Sequence, residues 1–111
     1  MVNYRAEVID KLKRFNREDI IISDHALIRL KQRQISEAEI IENIINPKRL
    51  QYAIKQEPNH SGEEKFDRYF NYSKTQCHRY VIVIKNKVVV VTVVKVNRRW
   101  QKIVEKKLKP K

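Results

Sequence analysis

The sequence predicts an α+β domain in which N-terminal helices pack on an antiparallel sheet of four strands and one additional short strand. Apolar residues recur at helical spacing as far as Pro47, and beyond it they alternate with polar residues, as in half-buried strands. Two uninterrupted aliphatic runs, at 80–84 and 88–94, indicate strands that are covered on both faces and therefore central. No repeat, linker or composition break is present, so we expect a single domain over residues 1–111, with 97–111 as a basic C-terminal tail.

The first two elements are predicted to be a helix and a short strand. Apolar residues recur every three or four positions from Tyr4 to Phe15, which predicts a helix at about 3–15. The next apolar run is β-branched and too short for a helix, so we expect a strand at 19–22. Pairing beside 88–95 would keep that long strand from forming an exposed edge.

Capping residues mark two further helices, at about 24–34 and 37–46. Ser23 or Asp24 can accept hydrogen bonds from the free N–H groups at the start of the first. The capping box Ser36-x-x-Glu39 begins the second, whose buried stripe consists of isoleucines.

The second half of the chain is predicted to form the antiparallel meander. Leu50, Tyr52 and Ile54 alternate with polar residues, and residues 66–72 alternate in the same way. Beyond Asn97 the sequence is compatible with a short basic helix and with disorder, and both alternatives stay open.

The charge of the chain indicates an anionic partner. Lysine and arginine total 25 against 13 aspartate and glutamate residues, which gives a net charge of +12. Nucleic acid is the usual partner of so basic a chain. The lone thiol of Cys77, with no apolar leader and no apolar run of about 20 residues, favours a cytoplasmic location and no membrane anchor.

His25, Arg29 and Arg33 recur every four residues, so a helix at 24–34 places them along one face. Three interpretations fit such a face: a solvated stripe, a phosphate-binding surface, or part of a catalytic constellation. Arginine binds phosphate oxygens through two parallel hydrogen bonds, and histidine exchanges a proton near neutral pH.

Strand alternation divides the "CHRY" motif, because His78 and Tyr80 share one face while Cys77 and Arg79 share the other. A zinc ion cannot readily take both Cys77 and His78, so no metal is expected. Without a glycine-rich nucleotide loop, no cofactor is expected either. Arg68, His78 and Arg79 are interpreted either as lining a groove over the sheet or as ordinary polar residues near hairpin ends.

The tail combines Arg98, Arg99 and Lys102 with Trp100, a mixture that suits phosphate contact together with base stacking. In the alternative interpretation Trp100 packs onto the sheet and the cations face solvent. Packing is favoured for Trp100, because tryptophan is usually largely buried.

Two stretches, "SDHALIRLKQRQISEAEIIENIINP" and "HRYVIVIKNKVVVVTVVKV", resemble the domain-of-unknown-function 4258 family over about residues 20–96. That family is similar to the RelE/BrnT group of toxin-like ribonucleases, which implies a RelE-like fold of two helices against a curved antiparallel sheet. The family usually has glycine where this chain has Gln34. Glycine at that place suits a positive φ angle at the C-terminus of the second helix, so either the turn is altered in this chain or Gln34 accepts a small strain.

The resemblance implies a metal-independent endoribonuclease, the toxin of a toxin–antitoxin pair. The RNA 2′-OH would attack the adjacent phosphate, with His25 or His78 as base or acid and Arg29, Arg33 and Arg79 on the phosphate. The expected partners are nucleic acid, with RNA favoured, and an acidic antitoxin protein. Two alternatives are a non-enzymatic RNA- or DNA-binding module and a domain whose basic groove accepts an acidic protein.

Overall fold

The computed structural model of the chain describes residues 2–48, 50–58, 60–71 and 76–110. The helices are α1 (Arg5–Leu12), α2 (Asp24–Gln32), α3 (Glu37–Ile45) and α4 (Arg98–Lys107). The strands are β1 (Val2–Asn3), β2 (Ile20–Ile22), β3 (Leu50–Gln56), β4 (Glu64–Asn71), β5 (Gln76–Ile84), β6 (Val88–Asn97) and β7 (Lys109–Pro110). The α+β class is therefore confirmed. Within these ranges no helix has the length and apolar character needed to cross a bilayer.

The main sheet has five strands in the order β2–β6–β5–β4–β3. The two aliphatic runs form β5 and β6, and both are interior strands, as predicted. β2 lies beside β6, also as predicted, with Ile20 opposite Val88. However, β2 runs parallel to β6, whereas the other three pairings are antiparallel. The expectation of a wholly antiparallel sheet is wrong at this edge, because helices and strands intervene and no hairpin sets the direction of β2.

The helices are not all N-terminal, which corrects the predicted arrangement. After β6 the chain forms α4, so a basic helix is found there. The first helix is shorter than the predicted 3–15, because its first residues bind β3 instead. The N–H of Tyr4 donates to the carbonyl of Ala53 at 2.9 Å, and the side-chain oxygen of Asn3 accepts from the N–H of Ala53 at 3.1 Å.

The apolar core lies between α1, α2, α3 and one side of the sheet, which we call the inner face. Phe66, Arg68 and Phe70 of β4 point to the inner face, and Asp67 and Tyr69 point to the opposite, outer face. The helices contribute Val8, Leu12, Ala26, Leu30, Ile40 and Ile44 to this core. The inner face is thus largely covered by helices.

A bulge in β3 interrupts the alternation expected from Leu50 through Tyr52. Leu50 pairs with Phe70 on the inner face, whereas Tyr52 pairs with Tyr69 on the outer face. An inserted residue exchanges the two faces of a strand from that point on. Tyr52 is consequently buried against the outer face.

Candidate functional site

Helix α2 carries the predicted cationic face, and its start is fixed to the edge of the sheet. Ser23 caps the helix, accepting a hydrogen bond from the N–H of Ala26 at 3.1 Å. The Ser23 hydroxyl donates to the carbonyl of Val91, and its N–H donates to the carbonyl of Val90 at 3.0 Å. Three hydrogen bonds at one residue therefore set the position of the first turn, on which His25 is exposed.

Arg29 and Arg33 follow His25 at intervals of one turn and are both partly exposed. The Nη1 atom of Arg29 lies 3.4 Å from Oε1 of Gln32, a neutral acceptor. Neither arginine forms an ion pair with a carboxylate in the part of the chain that the structure describes. Their charges are thus available to an external anion.

The end of α2 distinguishes the two alternatives for Gln34. Gln34 has a φ angle of +55°, so of the two alternatives the structure has the one in which Gln34 accepts the strained angle. The N–H of Ile35 donates to the carbonyl of Leu30, and that of Gln34 donates to the carbonyl of Lys31. These two bonds form a Schellman motif, with Ile35 and Leu30 both buried beside it. Gln34 thus adopts a left-handed conformation that glutamine tolerates less well than glycine.

Arg68 lies inside the protein. It is 0% exposed, and its Cζ atom stands 4.7 Å from the centre of the Phe70 ring. Its three guanidinium nitrogens have no hydrogen-bond partner among the described residues. Burial lowers the pKa of Arg68 to about 9, which leaves the group charged at neutral pH.

Three other polar side chains are buried on the inner face near Arg68. Tyr80 lies opposite Arg68 on β5, and its hydroxyl accepts a hydrogen bond of 2.9 Å from the side-chain amide of Asn43 on α3. The His78 ring is 1% exposed, and its centre is 6.2 Å from that of Tyr80. We call Arg68, Asn43, His78 and Tyr80 the inner polar cluster.

Arg79 lies on the outer face and has a counter-ion. Its Nε and Nη2 atoms both lie 2.9 Å from Oδ1 of Asp67, and Oδ2 of Asp67 accepts a hydrogen bond from Gln56. The Asp67 side chain is 7% exposed and that of Arg79 is 33% exposed. Arg79 is therefore neutralised within the chain, unlike Arg29 and Arg33.

Aromatic rings and a thiol surround this outer ion pair. The rings of Tyr52 and Tyr69 stack with their centres 4.2 Å apart. Burial raises the pKa of both hydroxyls. For each tyrosine the largest influence is the loss of water around the hydroxyl, which disfavours the charged phenolate. Cys77 is buried and reduced. Among the residues described, no group of three His, Cys, Asp or Glu side chains is placed to hold a metal ion.

Helix α4 carries the cations of the predicted tail. Arg99 and Lys102 are exposed, and Lys106 and Lys107 of the last turn are exposed with them. The side chains of Arg98 and Trp100 lie outside the described part of the structure. Whether Trp100 packs or stacks thus stays a prediction.

The predicted site residues fall into four places. His25, Arg29 and Arg33 share a helix face, and Arg99 and Lys102 lie on α4. Arg68 and His78 are enclosed on the inner face, while Arg79 is on the outer face. A groove lined jointly by Arg68, His78 and Arg79 is therefore not formed, because the strand alternation directs them to opposite sides of the sheet.

Two polar residues that matter to these clusters were not singled out from the sequence. Asn43 occupies a position three residues after Ile40, in the buried stripe of α3, and that spacing could have identified it. Asp67 could have been found as an acid placed among the aromatic residues in the middle of β4. Both residues could have been identified from the periodicity of the sequence, without knowledge of the fold.

Comparison with protein families gives a match over most of the chain. The family described as "Domain of unknown function (DUF4258)" matches residues 22–105, a span from the end of β2 to the last turns of α4. Comparison with curated proteins and with solved structures found no significant match. The similarity to RelE and BrnT therefore stays a prediction.

Proposed function

Since the chain belongs to DUF4258, a family whose function is unknown, we propose a function from its own geometry: a small nucleic-acid-binding protein, with RNA as the favoured ligand. The observation that carries the proposal is the face of α2. His25, Arg29 and Arg33 follow one another along that face, and the two arginines have no carboxylate partner in the described ranges.

Charge supports this assignment. A net charge of +12 raises the local concentration of any polyanion, independently of sequence. The guanidinium group binds phosphate oxygens in a bidentate manner, and Arg29 and Arg33 are spaced one helical turn apart. The exposed Arg99 and Lys102 of α4 add a second group of cations. RNA is favoured over DNA on the resemblance to toxin-like ribonucleases.

A salt titration tests the binding surface. We expect a labelled single-stranded RNA to bind with an affinity that falls steeply with salt, and each of Arg29→Gln and Arg33→Gln to reduce the logarithmic slope by about 0.7. Arg14→Gln, at an exposed arginine outside α2, is the matched control. If the α2 variants changed the slope no more than Arg14→Gln, RNA would not bind on this face.

A second candidate function is metal-independent cleavage of the bound RNA, and the exposure of His25 favours it. His25 stands one turn before Arg29, so a phosphate held by that arginine would lie within reach of the imidazole. In that reaction His25 takes the proton of the 2′-OH, the 2′-oxygen bonds to phosphorus, and the P–O5′ bond breaks with a proton from water. The two arginines would stabilise the charge on the pentacoordinate phosphorus.

His25→Ala separates the two functions. For an enzyme, this variant loses cleavage while RNA affinity changes only a few-fold, because one imidazole adds little phosphate affinity beside the neighbouring arginines. His78 is enclosed on the inner face, so His78→Gln serves as the comparison. Wild-type protein that binds RNA and cuts none, alone or on ribosomes, would identify a binding module.

The acidic antitoxin expected from the resemblance would bind the same face of α2. An acidic protein segment that pairs with Arg29 and Arg33 must compete with RNA for these two side chains. It should compete less well at high salt, because dissolved ions screen surface charges. Competition of an acidic peptide against labelled RNA tests this. A ternary complex with unchanged RNA affinity would place the partner elsewhere.

A further inference from the structure

The inner polar cluster contains a buried charge, that of Arg68, which no described residue pairs with. Arg68 is fully buried and charged at neutral pH, and Nε, Nη1 and Nη2 all lack a hydrogen-bond partner within the described structure. Moving an ion of this kind out of water costs several kcal/mol unless it is paired and hydrogen-bonded. A buried arginine whose donors are unused therefore calls for an acceptor from outside the chain.

The nearest acids along β4 cannot supply that acceptor. Asp67, the preceding residue, points to the outer face and already binds Arg79 and Gln56. Glu64 shares the inner face, but it pairs with Lys11 and with Lys55. Both carboxylates are thus occupied by other cations.

The surroundings of Arg68 define what the acceptor must be. The Cζ atom of Arg68 lies 4.7 Å from the centre of the Phe70 ring, and the N–H groups of a guanidinium point outward within its own plane. A carboxylate has two oxygens and would satisfy one edge of the group. A phosphate binds one edge in the same bidentate manner and keeps further oxygens that can accept hydrogen bonds from neighbouring polar side chains. Asn43, Tyr80 and His78 provide further polar atoms nearby.

We propose that Arg68 is the centre of an internal phosphate-binding site, formed with the other members of the inner polar cluster. This site is distinct from the α2 surface and does not depend on RNA binding there. The phosphate is either inorganic or the monoester of a nucleotide. Because Arg68 is enclosed, the anion enters through local opening of the packing, and samples need to reach equilibrium before measurement.

Thermal unfolding in phosphate, acetate and chloride at equal ionic strength tests the proposal. We expect phosphate to raise the Tm of the wild type in a saturable manner, by about 5 °C at ten times the Kd. Arg68→Met keeps an unbranched side chain of similar size and should lose this phosphate-specific shift. Arg14→Met, at an exposed position, should retain it, and so should Arg29→Gln, which separates this site from the α2 surface.

Phosphorus NMR of bound phosphate provides a second measurement that does not depend on the folding of Arg68→Met. Arg68→Lys, which keeps the charge without the planar fork, should weaken binding at least tenfold. Adenosine monophosphate binding more tightly than inorganic phosphate would identify a nucleotide site, and equal affinity would identify inorganic phosphate. The proposal is overturned if phosphate stabilises the wild type no more than chloride or acetate, or if Arg68→Met responds like the wild type.

Discussion

Arg68 and Arg79 lie on adjacent strands of the same sheet and have opposite surroundings. Arg79, on the outer face, has two nitrogens 2.9 Å from Asp67 and remains 33% exposed. Arg68, on the inner face, is fully buried and lacks a hydrogen-bond partner among the described residues. The first arginine is balanced by Asp67, whereas the second has no hydrogen-bond partner in the part of the chain that the structure describes.

The difference shows that strand geometry, rather than proximity in sequence, decides which charges pair. Asp67 is covalently adjacent to Arg68, yet successive side chains of a strand point to opposite faces. Asp67 instead meets Arg79, which reaches the same face from the neighbouring strand. A buried arginine beside an acid in sequence is therefore no evidence of an ion pair.

The largest expected effect comes from removing the counter-ion of Arg79. Asp67→Asn should lower the free energy of unfolding by about 3 kcal/mol, because a partly buried guanidinium loses its carboxylate. The expected loss lies at the lower end of the range for breaking buried ion pairs, because water still reaches Arg79. Urea denaturation measures the change. The control is Asp19→Asn, which removes an ion-pair partner of Lys87. If both variants lowered the free energy of unfolding by equally small amounts, Asp67 would not be an important counter-ion of Arg79.

Replacing Arg68 on the inner face should change the free energy of unfolding in the opposite direction. In phosphate-free buffer Arg68→Met should raise the free energy of unfolding by about 1–2 kcal/mol, because an unpaired buried charge is replaced by an apolar side chain. Arg79→Met, which leaves Asp67 without its cation, should lower it. Marked destabilisation by Arg68→Met would mean that the guanidinium already has a stabilising partner.

A double-mutant cycle sharpens the comparison. Asp67→Asn and Arg79→Met should show a coupling energy of about 1–2 kcal/mol, since each removes the same ion pair. Asp67→Asn and Arg68→Met should be additive within about 0.5 kcal/mol despite their adjacency in sequence. Coupling of Asp67 to Arg68 as strong as to Arg79 would be incompatible with the two faces described above.

The smallest effect extends the comparison to a partly exposed pair, Lys11 and Glu64. The ammonium of Lys11, and then that of Lys55, lower the pKa of Glu64 below its usual value of 4.5. A lowered carboxyl pKa means that the folded state favours the ionised form, so this stabilisation is present above about pH 4.5 and is lost as the pH falls through the folded-state pKa. Glu64→Gln should cost about 0.5–1 kcal/mol at neutral pH and almost nothing in strong acid. Unfolding curves across this pH range, with Glu18→Gln as the control, test the sign.

Local patterns in the sequence predicted much of this arrangement. The alternation at 77–80 separates His78 from Arg79, as the register confirms, and the family pattern marks the position of Gln34, whose φ is positive, as one that suits glycine. The uninterrupted aliphatic runs identify the interior strands. Each of these features depends on a residue and its immediate neighbours, and periodicity reports such features directly.

Features set by distant contacts were not predicted. Periodicity places Arg68 on one face of β4, but only the position of the helices determines that this face is covered. The bulge that separates Leu50 from Tyr52 and the parallel direction of β2 likewise depend on pairing partners elsewhere in the chain. The groove, one of the two interpretations of Arg68, His78 and Arg79, fails for a local reason instead, because strand alternation alone directs Arg79 away from the other two.

The parallel pairing of β2 with β6 has a consequence for the order of folding. Ser23, which joins β2 to α2, bonds to Val91, 68 residues further along the chain, whereas the strands of the meander pair with their neighbours in sequence. Closing so long a loop costs entropy that only an assembled partner strand can repay. β2 should therefore dock after the transition state, and Ile20→Val should accelerate unfolding while leaving the refolding rate almost unchanged. Stopped-flow measurement of the folding and unfolding rates tests this order. Slower refolding of the Ile20→Val variant would instead place β2 in the folding nucleus.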